Sequence, residues 1–109
     1  MIAAAKREML LPELRAVMAL TCGKAALVFH AERDWRSATF SGTRHRIALR
    51  FAGEDAMAYA EAFIAHLPRH EFALAGKLVA DAEIVSAERI FGEEPETTLT
   101  LQMLVLNDV

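Results

Sequence analysis

The residues that could do chemistry in this chain are four histidines, one cysteine and an uneven spread of arginines and carboxylates. His66 and His70 stand four apart, a spacing that brings two imidazoles together on a helix. Pro68 lies between them, where a helix should already have ended. The glutamate of a helical zinc-hydrolase motif is missing, and no third ligand is adjacent. His30 and Glu32 alternate onto one face of a strand, while His45 on the next strand is expected to point to the other face. On that reading the three do not assemble a metal site, exposed histidines account for them, and no metal or other cofactor is expected.

Nucleophile chemistry is no better supported. Cys22 falls near the C-terminus of an expected helix, the wrong end to stabilise a thiolate. A single cysteine excludes an intramolecular disulfide and a cysteine-rich zinc site. Ser37, Ser41 and Ser86 lack a Gly-x-Ser-x-Gly elbow. Ala75-Gly76-Lys77 has the Gly-Lys pair of a phosphate loop but no second glycine five positions before it. Glu93, Glu94 and Glu96, with Asp81 and Glu83, lack calcium-loop spacing and read as a solvated hairpin tip.

The charge is separated along the chain. Residues 1–50 carry nine basic and four acidic groups, and residues 51–109 carry three basic and eleven acidic groups. The halves are therefore +5 and −8, within a net charge of −3. Such asymmetry marks an interaction surface or two halves that attract each other, within one fold or across a dimer. Arg36, Arg44, Arg46 and Arg50 are expected to project from one face of a two-stranded ribbon, a shape that can enter a nucleic-acid groove. Glu32 and Asp34 are expected on the same face, and Trp35 on the inward one, unavailable for stacking. Together with the net negative charge, this disfavours a nucleic-acid partner.

The elements that must position these groups follow from periodicity. Pro12 suits a first helical turn, Leu14, Val17, Met18 and Thr21 recur at helical spacing, and Gly23 can end the helix in the left-handed region. The pattern predicts a helix over 12–22, preceded by a helical arm over 2–10. Residues 25–38 and 43–51 alternate with period two, which predicts a hairpin. Placing the odd-numbered apolar residues of both strands inward requires a loop of odd length, satisfied by Phe40-Ser41-Gly42 with Gly42 left-handed. Trp35 is then opposite Ile47, and Ala31 opposite Phe51. A second helix starts after Gly53-Glu54-Asp55, carries Ala56, Tyr59, Ala60, Phe63 and Leu67 on one stripe, and stops at Pro68. Residues 72–84, bent at Gly76, and 97–106 supply two more strands.

The order helix, strand, strand, helix, strand, strand contains one unit twice, over 12–52 and 53–107, at an offset of about 49 residues. The expected fold is a single α+β domain over 1–109. Two αββ units form a four-stranded antiparallel sheet with both helices on one face, a permuted ferredoxin-like two-layer sandwich.

Lys6 and Arg7 could open a signal peptide, but Glu8, Pro12, Glu13 and Arg15 interrupt its apolar segment. Ala19-Leu20-Thr21-Cys22 resembles a lipoprotein cleavage site only loosely. With no apolar run long enough to span a bilayer, a soluble cytoplasmic protein without a membrane partner is expected. At 54% hydrophobic residues the chain carries more apolar surface than so small an interior holds. A homo-oligomer is therefore expected, a twofold dimer using the free sheet face or a strand edge. The first functional expectation is a non-enzymatic binding or protein-interaction module of unknown small-molecule ligand, with His30, Arg36, Arg44, Arg46, Arg50 and Tyr59 at its ligand or partner surface. The alternatives are a small ferredoxin-like-dimer enzyme using His30, His45 or Tyr59 in a cleft between sheet and helices, and weak nucleic-acid binding by the arginine hairpin. The face assignment is testable through Ile47→Ala, which should cost about 2–5 kcal/mol in urea unfolding. A change below about 0.5 kcal/mol would mean the faces are reversed.

Overall fold

The computed structural model describes residues 11–107. Helix α1 (Pro12–Leu20) begins with proline in its first turn, where the missing N–H costs nothing. It ends as Cys22 and Gly23 turn to φ 55° and 75°, and the Thr21 hydroxyl donates to the Met18 carbonyl at 2.7 Å. The expected arm over 2–10 lies outside the described residues. Strands β1 (Ala25–Arg36) and β2 (Ser41–Ala52) form the first hairpin. Helix α2 (Ala56–His66) passes into a 3-10 turn at Leu67–Arg69, as Pro68 requires. Gly76 sits at φ 69°, so the chain turns there and β3 (Lys77–Ile90) starts after it. This strand begins and ends later than its alternation suggests. Phe72 and Leu74, expected in it, precede it but still pack against the core. Strand β4 (Glu96–Asn107) completes the fold.

The four strands make one antiparallel sheet in the order β1-β2-β4-β3. The last strand is thus central. Leu99, Leu101, Met103 and Val105 on one of its sides are buried in the core, while Leu104 and Leu106 lie on the other face. Directly paired residues share a face of the sheet, so the register sorts the side chains. His45, Ile47, Leu49 and Phe51 on β2 share a face with Met103, Leu101, Leu99 and Thr97 on β4. Those residues, with Leu14 and Val17 of α1 and Ala56, Ala60 and Phe63 of α2, are buried in a single core. The Phe51 and Phe63 rings meet at 6.1 Å with a 55° tilt. Tyr59, expected on the buried stripe, is exposed, and the Lys24 ammonium lies 5.0 Å from its ring centre.

The hairpin register differs from the parity argument. Arg36 pairs with Ser41, leaving the four residues 37–40 as the loop. The Ser37 N–H donates to the Phe40 carbonyl at 2.8 Å, and the Phe40 N–H donates to Ser37 Oγ at 3.0 Å. Trp35 faces Gly42 and His30 faces Ile47. The pairing shifts between Leu27 and Phe29, so Val28 is an inserted bulge residue. Leu27 keeps the helix-side face that its odd number predicts, while Phe29, Ala31, Arg33 and Trp35 change to the other face. Strand β3 shifts in the same way between Val79 and Asp81 and between Ile84 and Ser86. Leu78, expected inward, pairs with Leu106 on the open face and is exposed.

Gly42 is not the left-handed turn residue. It is buried within β2, and a Cβ there would run into the carbonyl oxygen of Val105 on β4. Its role is close backbone approach between the central strands. Gly42→Ala should therefore destabilise by about 1–3 kcal/mol in urea unfolding, where a turn-only role far from β4 would leave that contact unaffected.

Candidate functional site

Two helices of nine and eleven residues are about 13 and 16 Å long, while twelve-residue strands reach about 40 Å. The helices therefore cover only part of one sheet face. At the β1 side, beside the first turn of α1, a polar cluster sits on the helix-bearing face. His30 and Glu32 are two apart beyond the bulge, and His45 pairs directly with Glu32. All three share one face, which corrects the expectation that His45 points away. The imidazoles stack with their ring centres 5.3 Å apart and 16° between planes. His30 Nε2 and His45 Nδ1 are 3.0 Å apart.

Helix α1 adds a group that the sequence does not flag. Glu13 in its first turn is buried and lies beside His45, Oε2 to Nε2 4.0 Å. Its Oε1 has no hydrogen-bond partner, and the Lys77 ammonium lies 3.7 Å away, an ion-pair contact longer than a hydrogen bond. Glu32 Oε2 is 3.8 Å from His45 Nδ1, and its side chain is 55% exposed. Burial holds the His45 imidazole below its ordinary value of 6.5. His30 and then Lys77 push the same way, while Glu13 and Glu32 oppose. His45 is thus neutral at pH 7, with one nitrogen lone pair available.

The opposite sheet face is uncovered among the described residues, and its charges are sorted by strand. Arg33 on β1 pairs with Arg44 on β2, and Arg46 and Arg50 continue the same face. On β3, Asp81, Glu83 and Glu88 pair with Leu104, Gln102 and Thr98 of β4. Arg46 donates to Gln102 Oε1 at 2.9 Å. Among the described residues, no ion pair joins these arginines to these acids. A depression of about 300 Å³ is lined by Ala31, Glu32, Arg33, Arg44, Arg46 and Gln102.

The expected partner surface is therefore divided. Arg44, Arg46 and Arg50 share the open face, but Arg36, paired with Ser41, lies on the opposite one, as do Glu32 and Asp34. Asp34 thus stands away from the arginines, while Glu32, on the edge strand, still lines the depression beside Arg33, Arg44 and Arg46. Trp35 stands on the arginine face rather than inward. Arg33 joins the basic set without having been singled out, because the bulge alone decides its side. His30 belongs to the polar cluster, and Tyr59 lies apart on α2. His66 ends α2 while His70 follows the 3-10 turn, so no one helix carries both. The larger cleft, about 570 Å³, lies between residues 67–72 and the β3 edge, and its lining contains neither His30, His45 nor Tyr59.

No family model matches the chain, and no curated protein matches it. Among solved structures, a chain from the virion of a native gene transfer agent particle is similar, with a TM-score of 0.65 and 17% identity. The match covers 87% of this chain and 90% of that one. At that identity the likeness shows the fold, an α+β arrangement with a four-stranded antiparallel sheet and two helices. No helix among the described residues is long and apolar enough to cross a membrane.

Because the His45 value is lower folded than unfolded, the unfolded chain binds more protons between the two values. The stabilisation is complete above 6.5 and is lost as pH falls through the folded value. In chelator-treated protein the urea midpoint should drop as pH falls below about 6.5, and His45→Gln should flatten that slope. An identical slope in the variant would place the titration elsewhere.

Proposed function

We propose that this protein is a non-enzymatic protein-interaction module that associates with a second copy of itself through its open sheet face. The supporting observation is the separation of that face into a basic half on β1 and β2 and an acidic half on β3. A twofold axis parallel to the strands, running between β2 and β4, lays each basic half over its partner's acidic half. The pairing rows then agree in level: Arg33 on β1 lies over Asp81 on β3, and Arg44, Arg46 and Arg50 on β2 stand at the levels of Asp81, Glu83 and Glu88, one strand (about 4.8 Å) to the side. An axis perpendicular to the strands within the sheet plane would set arginine over arginine, which costs several kcal/mol in close like-charge contact.

The size is also adequate. Four strands about 4.8 Å apart and about 40 Å long present about 750 Å² per copy, close to the roughly 800 Å² that each partner contributes to a stable interface. Leu104, Leu106, Leu78, Phe29 and Trp35 supply apolar area between the charges. A chain of a virion particle, which is a multi-subunit assembly, has the same fold. We read the strand order as the ferredoxin-like order with its first strand moved to the end, built from two αββ units. In that layout the helices occupy one face and leave the other to a partner.

A second reading has its own support. Trp35 and four arginines on one face, with Asp34 removed from it, suit a nucleic-acid backbone better than the expected register did. The three acids of β3 on the same face work against it.

Light scattering with size exclusion should give twice the 12.0 kDa chain mass. Glu83→Arg with Glu88→Arg should give monomers by like-charge repulsion, as should Arg44→Glu with Arg46→Glu. Mixing the two variants should restore a 1:1 complex. A wild-type monomer at micromolar concentration would end the proposal, and variants that dimerise like wild type would move the interface to another surface. Salt-sensitive binding of mixed oligonucleotides by the monomeric wild type would favour the second reading.

A further inference from the structure

We infer that His30, His45 and Glu32 form a binding site for a divalent transition-metal ion of the zinc class, with Glu13 as the buried carboxylate that orients His45. This inference is independent of self-association, because the cluster lies on the helix-bearing face.

The geometry carries it. Donor atoms bound at about 2.1 Å to one ion can be no more than about 4.2 Å apart. His30 Nε2 and His45 Nδ1 are separated by 3.0 Å, and His45 Nδ1 and Glu32 Oε2 by 3.8 Å. All three donor atoms lie within 4.8 Å of one another, so the remaining gap closes with a small rotation of the exposed Glu32 side chain. Two imidazole nitrogens and one carboxylate oxygen form a donor set suited to Zn²⁺ and its substitutes Co²⁺ and Ni²⁺. A fourth position would face solvent, on the side where Glu32 is exposed.

The strands hold the set with little freedom. His30 and Glu32 are alternate residues on β1, and His45 stands directly across from Glu32 on β2. Glu13, 4.0 Å from His45 Nε2, stands where a small approach would give the outer hydrogen bond that metal-bound histidines usually have. In the tautomer with its proton on Nε2, toward Glu13, the His45 Nδ1 lone pair is directed at His30 and Glu32. Without metal, His30 Nε2 and His45 Nδ1 share one hydrogen bond at 3.0 Å, whose direction depends on the tautomers. With metal, the His30 proton sits on Nδ1 of that ring and its Nε2 becomes a ligand. The bound ion would clip the bulged edge strand to β2.

The test uses the full chain without an affinity tag, stripped of metal and titrated with Co²⁺ and Zn²⁺. The expected result is a saturable visible Co²⁺ absorption at one ion per chain, displaced by Zn²⁺, with a rise in melting temperature. His30→Ala should abolish the absorption. Glu32→Gln, at an exposed side chain that leaves folding intact, should weaken binding about 10-fold or more, and Glu13→Gln about 10–100-fold. His66→Ala with His70→Ala should change nothing. Failure to saturate with Zn²⁺ up to about 1 mM would overturn the site. So would binding that survives both His30→Ala and Glu32→Gln, since the ion would then be held elsewhere.

Discussion

The pairing of β1 with β2 shifts by one residue at Val28, and the placement of most polar groups depends on that shift. A strand presents alternate residues to alternate faces, so one inserted residue exchanges the faces of everything beyond it. Before the bulge, Ala25 and Leu27 pair with Phe51 and Leu49 over the core. After it, His30, Glu32 and Asp34 take the helix-bearing side, and Phe29, Ala31, Arg33 and Trp35 take the open one. Without the shift, the polar cluster would be split between two faces and the arginines would share theirs with two carboxylates.

Both edge strands are bulged and both central strands pair without interruption. Regular pairing between β2 and β4 lets Ile47, Leu49 and Phe51 meet Leu101, Leu99 and Thr97 in one buried layer. The close approach at Gly42 belongs to the same seam. Bulges and charged residues at the edges make those strands poor templates for further pairing.

The buried polar groups show where stability is given up. Glu13 and His45 are taken from water together, yet their closest approach is 4.0 Å and one Glu13 oxygen lacks a hydrogen-bond partner. Desolvation of a carboxylate costs several kcal/mol, and only part is recovered from Lys77 at 3.7 Å. Apolar residues of similar size would pack there at lower cost. A site that departs from the consistency of the surrounding core is where a role other than folding is expected.

Much of the architecture was legible in the residues. Helical spacing in Leu14, Val17 and Phe63, alternation in Ile47, Leu49 and Phe51, and the breaks at Gly23, Gly53 and Pro68 specify two helices and four strands, because local periodicity must match the one face each element buries. The separation of positive from negative halves was equally plain, and it persists as two halves of one sheet because each half of the chain forms its own hairpin. What only the tertiary structure decided is which residues meet. A bulge has no reliable mark in the alternation around it, and a four-residue loop competes with a three-residue one at similar cost. Short helices also leave polar residues wet on a face that periodicity alone assigns to the core. The approach of Glu13 and Lys77 to His45 joins residues far apart in the chain, and that contact exists only once helix and sheet have packed.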